Sequence, residues 1–147
     1  MIKKRFMPKN IRNKNGYEAV VIGVSAGGLN ALSKILSGID PDLNLPIVIV
    51  QHLSPDSGDF LVEYLNKICP LKVMMAIDKR KMCKKGIYVA PANYHLLIEP
   101  DRTFALSVDE KVNYSRPSID VLFESASDEF QEKLIGIVLT GANHDGS

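Results

Sequence analysis

A chain of 147 residues with 46% apolar and 24% charged side chains, ten glycines and no tryptophan has the balance of one globular domain with a real core. Its formal net charge of +1 argues against bulk attraction to nucleic acid or lipid, and no apolar run approaches the length of a membrane-spanning helix. Cys69 and Cys83 have no histidines at metal-ligand spacing and read as two free thiols.

Residues 1–16 are basic but lack the apolar middle and cleavage site of a secretory signal, so they are expected to be a poorly ordered tail of a cytoplasmic protein. The next stretch organises the rest of the chain. Ala19 to Val24 is apolar without polar alternation, as in a strand covered on both faces, and Leu29, Leu32, Ile35 and Leu36 then fall on one helical face. Ser25 lies at the turn between them, where the free N–H groups and positive dipole end of a helix start would converge.

Such a turn suits either a phosphate or a serine nucleophile beside an oxyanion hole. A dinucleotide fingerprint needs glycine where Ser25 stands, and no lysine follows the glycines as a phosphate-binding loop requires. Gly23-x-Ser25-x-Gly27 does match the nucleophile-elbow pattern of serine hydrolases. The plainer alternative, a glycine turn with Ser25 as a helix cap, stays open on the motif alone.

Gly38 to Pro41 punctuates, and Pro46 to Val50 forms a second apolar strand running into Gln51 and His52. The spacing predicts a right-handed βαβ crossover and a parallel sheet, which places Ser25 and His52 at one carboxyl edge. Ser54 to Gly58 is a loop, Phe60, Leu61, Tyr64, Leu65 and Ile68 mark a second helix, and Leu71 to Ile77 reads as a third strand. Asp78 to Gly86 is a basic surface loop. Ile87–Ala90, His95–Ile98 and Thr103–Leu106, separated by turn residues, predict a short antiparallel meander.

Ser118 is a plausible N-cap for a helix with Ile119, Leu122, Phe123, Ala126 and Phe130 on one face. Leu134 to Leu139 is another buried strand, opening into the loop Thr140 to Gly146. The fold class expected is therefore α/β: a doubly wound, mostly parallel sheet with helices on both faces and a short antiparallel meander.

A serine hydroxyl needs a base, and that base needs an orienting group. His52 and His144 are both placed at the serine edge, whereas His95 starts a meander strand and reads as structural. Asp145, in a glycine-bounded loop after a buried strand, is where a carboxylate could orient an imidazole. The order Ser25, His52, Asp145 argues against an ordinary α/β-hydrolase, in which the acid precedes the histidine.

Five segments together resemble the catalytic domain of the chemotaxis protein-glutamate methylesterase family. They are Ile22-Gly-Val-Ser-Ala-Gly-Gly28, Val50-Gln-His-Leu53, Tyr88-Val-Ala-Pro91 with His95, Arg116-Pro-Ser-Ile-Asp-Val-Leu-Phe123, and Gly136-Ile-Val-Leu-Thr-Gly141 with Asp145-Gly146. The resemblance covers residue 17 to the end. It implies hydrolysis of glutamyl methyl esters on the cytoplasmic helices of methylated chemoreceptors, with receptor glutamines deamidated in some members. It also implies Ser25 as nucleophile, His52 as general base and acid, Asp145 as the partner of His52, and an oxyanion site around Ala26 and Gly27 with the Gly141-Ala142 turn. No metal or organic cofactor is implied, nor any nucleic-acid partner.

Three departures qualify it. Ala26 and Ala142 stand where many members have threonine and methionine. Residues 1–16 are too few for the receiver domain of regulated members, so a regulator would be a separate receiver-type partner. The family domain also continues past the position of Ser147, which implies a catalytic domain, 17–147, lacking its C-terminal part. Two other readings are a non-catalytic module of this fold that binds an anion or a receptor tail at the glycine turn, and an esterase acting on another ester. The basic loop is expected to be a solvated surface, with attraction of glutamate-rich receptor helices as its functional alternative.

Overall fold

A computed structural model describes residues 16–25, 27–52 and 59–139. The tail up to residue 15, Ala26, Leu53 with the Ser54–Gly58 loop, and the segment after Leu139 therefore lie outside the described residues.

Among the described residues, five strands form one parallel sheet: β1 (Ala19–Val24), β2 (Pro46–Gln51), β3 (Val73–Met75), β4 (Gly86–Val89) and, last of them, Leu134–Leu139. Between β4 and that last strand, β5 (His95–Ile98) and β6 (Phe104–Ser107) make a separate antiparallel hairpin, so Leu134–Leu139 is β7. The helices are α1 (Leu29–Ser37), α2 (Phe60–Ile68) and α3 (Ile119–Phe130). The sheet order is β3-β4-β2-β1-β7, so the strand carrying the glycine turn is central, flanked by β2 and β7. Every residue of β1 and β2 is buried, as expected for apolar runs without alternation.

Alternation along the strands divides two cores. Val20, Ile22, Val24, Ile47 and Ile49 face α1 and α2 through Leu32, Leu36, Leu61 and Leu65. Ala19, Val21, Val48 and Val50 face α3 and the hairpin through Ile119, Leu122, Ala126, Leu96 and Phe104. Helices thus cover both faces, in the doubly wound arrangement the sequence predicts. Phe60 departs from its predicted face: it is exposed and stacks on Tyr64, with ring centroids 6.1 Å apart.

The antiparallel part differs in membership. The residues expected to open the meander form β4, which pairs in parallel with both β2 and β3. All four β4 residues are buried, and a short apolar run covered on both faces belongs in the sheet rather than in a half-exposed hairpin. The third antiparallel partner is instead the basic stretch. Lys79 N–H donates to the Phe104 carbonyl at 2.7 Å, Phe104 N–H to Arg80 at 3.0 Å, and Met82 N–H to Arg102 at 2.9 Å. Its backbone is thus tied to β6 while Lys79, Arg80 and Lys81 remain exposed.

Cys69 and Cys83 are free, and burial pushes the Cys69 thiol above its ordinary range. Among the described residues no helix is long and apolar enough to cross a membrane, and no cluster of His, Cys, Asp and Glu is arranged to hold a metal ion.

Candidate active site

Ser25 is the first residue beyond β1 and is only 2% exposed. Its N–H donates to the Leu139 carbonyl of β7 at 3.3 Å, and on the other side the His52 N–H donates to the Val24 carbonyl at 3.1 Å. The ladder therefore continues one step past the strands, setting the serine and the histidine backbones side by side at the carboxyl edge. Open parallel sheets bind their ligands at this edge.

The turn after Ser25 is closed by the Gly28 N–H on the Ser25 carbonyl at 2.9 Å. Gly27 has φ +86°, a left-handed conformation that strains any residue with a Cβ, and an added Cβ would meet nothing within 4 Å. The requirement at Gly27 is thus set by the backbone alone. The N-cap of α1 is Gly28, a residue with no side chain of its own to cap the helix start. The helix start at Gly28 thus lies three residues beyond Ser25. The first N–H groups and positive dipole end of α1 lie beside the turn.

Gly23 and Gly28 serve packing. A Cβ on Gly23 would lie inside the Cγ2 methyl of Ile119 and 2.9 Å from its Cγ1 and Cδ1. A Cβ on Gly28 would lie 2.6 Å from Val24 Cγ1 and 3.2 Å from the Leu139 carbonyl oxygen. The first glycine lets the N-terminus of α3 rest directly on β1, and the second holds α1 against the ends of β1 and β7.

The N-terminus of α3 is held by a buried network. Ser118 Oγ accepts from the Val121 N–H at 3.4 Å, capping the helix as the sequence predicts. The Ser118 N–H donates to His95 Nδ1 at 3.2 Å, and His95 Nε2 donates to the Glu110 carbonyl at 2.8 Å. These partners require the neutral Nε2–H tautomer and make His95, 2% exposed, structural as expected.

Arg116, two residues before the cap, joins three further groups. Nη1 donates to the carbonyls of Val108 at 3.0 Å and Asp109 at 3.2 Å, and Nη2 to Asn93 Oδ1 at 3.0 Å. The result is a wall facing His52 across a cleft of about 200 Å³, lined also by Asn93, Lys111, Tyr114, Ser115 and Pro117. Val112 and Ser115 exchange backbone hydrogen bonds of 3.1 and 2.9 Å around a two-residue turn, Asn113 and Tyr114, with φ of 52° and 64°.

Of the predicted site, Ser25, Gly27 and His52 meet at one edge. Ala26, Gly141, Ala142, His144 and Asp145 lie outside the described residues. β7 ends at Leu139, paired with Val24 on the side of β1 opposite to β2. Sequence reasoning assigns no role to Asn93, Lys111 and Tyr114, and Arg116 enters it only within a resembling segment. Asn113, a residue that tolerates positive φ, was the one local signal of the turn that shapes their wall.

Comparison with known proteins bears on this arrangement. The model of the family described as CheB methylesterase matches residues 20–147. A protein of Leptospira interrogans is 53% identical over 131 residues, which span 89% of this chain and 68% of that one. A protein-glutamate methylesterase/protein-glutamine glutaminase of Treponema denticola is 37% identical over 147 residues, 98% of this chain and 40% of that longer protein. Among solved structures, the catalytic domain of the CheB methylesterase of Thermotoga maritima superposes with a TM-score of 0.84 at 32% identity, covering 88% of this chain and 70% of that domain.

Proposed function

The chain belongs to the CheB methylesterase family, and from that premise we propose that it hydrolyses glutamyl methyl esters on chemoreceptor cytoplasmic helices and deamidates receptor glutamines at the same site. Residues 17–147 are its catalytic domain, working in the cytoplasm, and a phospho-acceptor receiver is the regulator that this reading implies. The observation that supports it most is the placement of Ser25 and His52 at the ends of adjoining parallel strands, with the start of α1 beside the serine.

In this reading Ser25 Oγ attacks the ester carbonyl while His52 takes its proton, and Asp145 holds the imidazole in the required orientation. Negative charge developing on the carbonyl oxygen is received by backbone N–H groups around Ala26 and Gly27 and by the Gly141-Ala142 turn. One such donor is worth about 2.7–4 kcal/mol of barrier. Collapse breaks the C–O bond, His52 returns the proton to the leaving methoxide, and methanol departs. Water, deprotonated by His52, then cleaves the acyl-serine to give glutamate and free Ser25. A glutamine side chain follows the same course with ammonia as leaving group.

The test is methanol release from methylated receptor, with Ser25→Ala expected to abolish it. Because each role requires the next residue, alanine at Ser25, His52 or Asp145, alone or together, should remove similar activity. Strictly additive log losses, or an active His52→Ala variant, would refute the assignment.

A further inference from the structure

We propose that Tyr114 and Lys111 form a subsite at the mouth of the cleft that holds an acidic polypeptide segment on either side of the reacting glutamyl group; the identity of that group rests on the esterase reading above. Ser25 is 2% exposed, so an acyl group reaches it only on a thin unbranched tether, and the polypeptide bearing it stays at the mouth. What stands at the mouth beside His52 is the two-residue turn carrying Tyr114, with Lys111 just before it.

Tyr114 is 97% exposed, a large aromatic surface that the fold leaves in solvent. It also sits at φ 64°, a conformation that costs a bulky residue strain and brings it no packing in return. Val112 and Tyr94, next in sequence to the cleft residues Lys111 and Asn93, are exposed as well, as is Val108, whose carbonyl Arg116 holds. Lys111 lines the cleft and makes no ion pair among the described residues. The other cation of the wall, Arg116, is already committed to Val108, Asp109 and Asn93. An apolar platform beside one available ammonium fits a segment that offers an apolar side chain and a carboxylate near the reacting group. Asp109 and Glu110 are exposed but do not line the cleft.

The experiment measures binding to a Ser25→Ala chain, so that the ester survives. Two synthetic helical peptides each carry one glutamyl methyl ester, flanked one turn away by glutamates in the first and by lysines in the second. The unsubstituted mouth should prefer the glutamate-flanked peptide. Tyr114→Ala should raise its Kd about tenfold, as loss of an aromatic anchor does, and Tyr114→Phe should restore most of the affinity. Lys111→Glu should reverse the preference between the peptides, an outcome that a merely structural role would not produce. Urea midpoints within error of the Ser25→Ala chain would show that the variants are folded. Unchanged Kd values in folded variants, or weakening of both peptides by Lys111→Glu without reversal, would overturn the subsite. Methanol release by the parent chain is scored separately. Its absence from both peptides would overturn the esterase reading and, with it, the ester-bearing ligand assigned to this mouth.

Discussion

Gly23→Ala adds one methyl group to the end of β1 and tests why the serine motif begins with glycine. The new Cβ would occupy the space of Ile119 Cγ2 and approach Cγ1 and Cδ1 to 2.9 Å. Ile119 is fully buried at the first turn of α3, and its β-branched side chain has few alternative rotamers, so the backbone must yield. Overpacking of this kind costs about 1–3 kcal/mol. With a urea slope near 1.5 kcal/mol/M, a loss of about 2 kcal/mol lowers the unfolding midpoint by roughly 1 M at unchanged slope. Ile119→Ala alone removes all three crowding carbons and leaves a cavity, at a cost of about 2–5 kcal/mol. In the double variant the methyl at position 23 enters that cavity, so the combined loss should fall at least about 1 kcal/mol short of the sum. The displaced α3 also carries Ser118 and, through the preceding residues, Arg116, so methanol release should fall in Gly23→Ala and recover in part in the double variant. Additivity within about 0.5 kcal/mol, or a stable and fully active Gly23→Ala, would refute the packing account.

Two further outcomes follow from the same geometry. His95→Ala strands the buried Ser118 N–H and opens a cavity, so the urea midpoint should report a loss of about 2–4 kcal/mol, with His95→Gln recovering part by accepting that N–H; a shift below about 0.5 kcal/mol would show that the network does not hold α3. Gly27→Ala meets no neighbour, so it should cost only the backbone strain of φ +86°, about 1–2 kcal/mol, and Gly27→Asn should cost less; a neutral alanine in thermal unfolding would mean that the turn does not require a left-handed residue.

Residue order alone determined the parts whose causes are local. Apolar runs without alternation at Ala19–Val24 and Pro46–Val50 marked strands buried on both faces, and the run Leu134–Leu139 marked a strand with Leu134 and Gly136 half-buried, because only a covered sheet leaves no polar side to satisfy. Helical spacing with Ser118 ahead of it defined α3, because capping and amphipathicity act within a few residues. Strand, turn and helix around Ser25, with a crossover to His52, were enough to bring those two residues to one edge.

Tertiary structure decided what depends on partners distant in the chain. Gly86–Val89 could have joined a hairpin on its own pattern; two flanking strands and burial of all four residues drew it into the sheet, and Lys79–Met82 took the vacant edge of β6. The glycines of one short motif looked alike in sequence, yet Gly27 answers to its own φ while Gly23 answers to Ile119, almost a hundred positions later. The wall formed by Asn93, Lys111, Tyr114 and Arg116 left one local trace in the sequence, Asn113 at its turn, since a cleft is a property of surfaces brought together. It exists because one arginine ties three loop groups into a face opposite His52, and no periodicity within any one of those segments encodes that meeting.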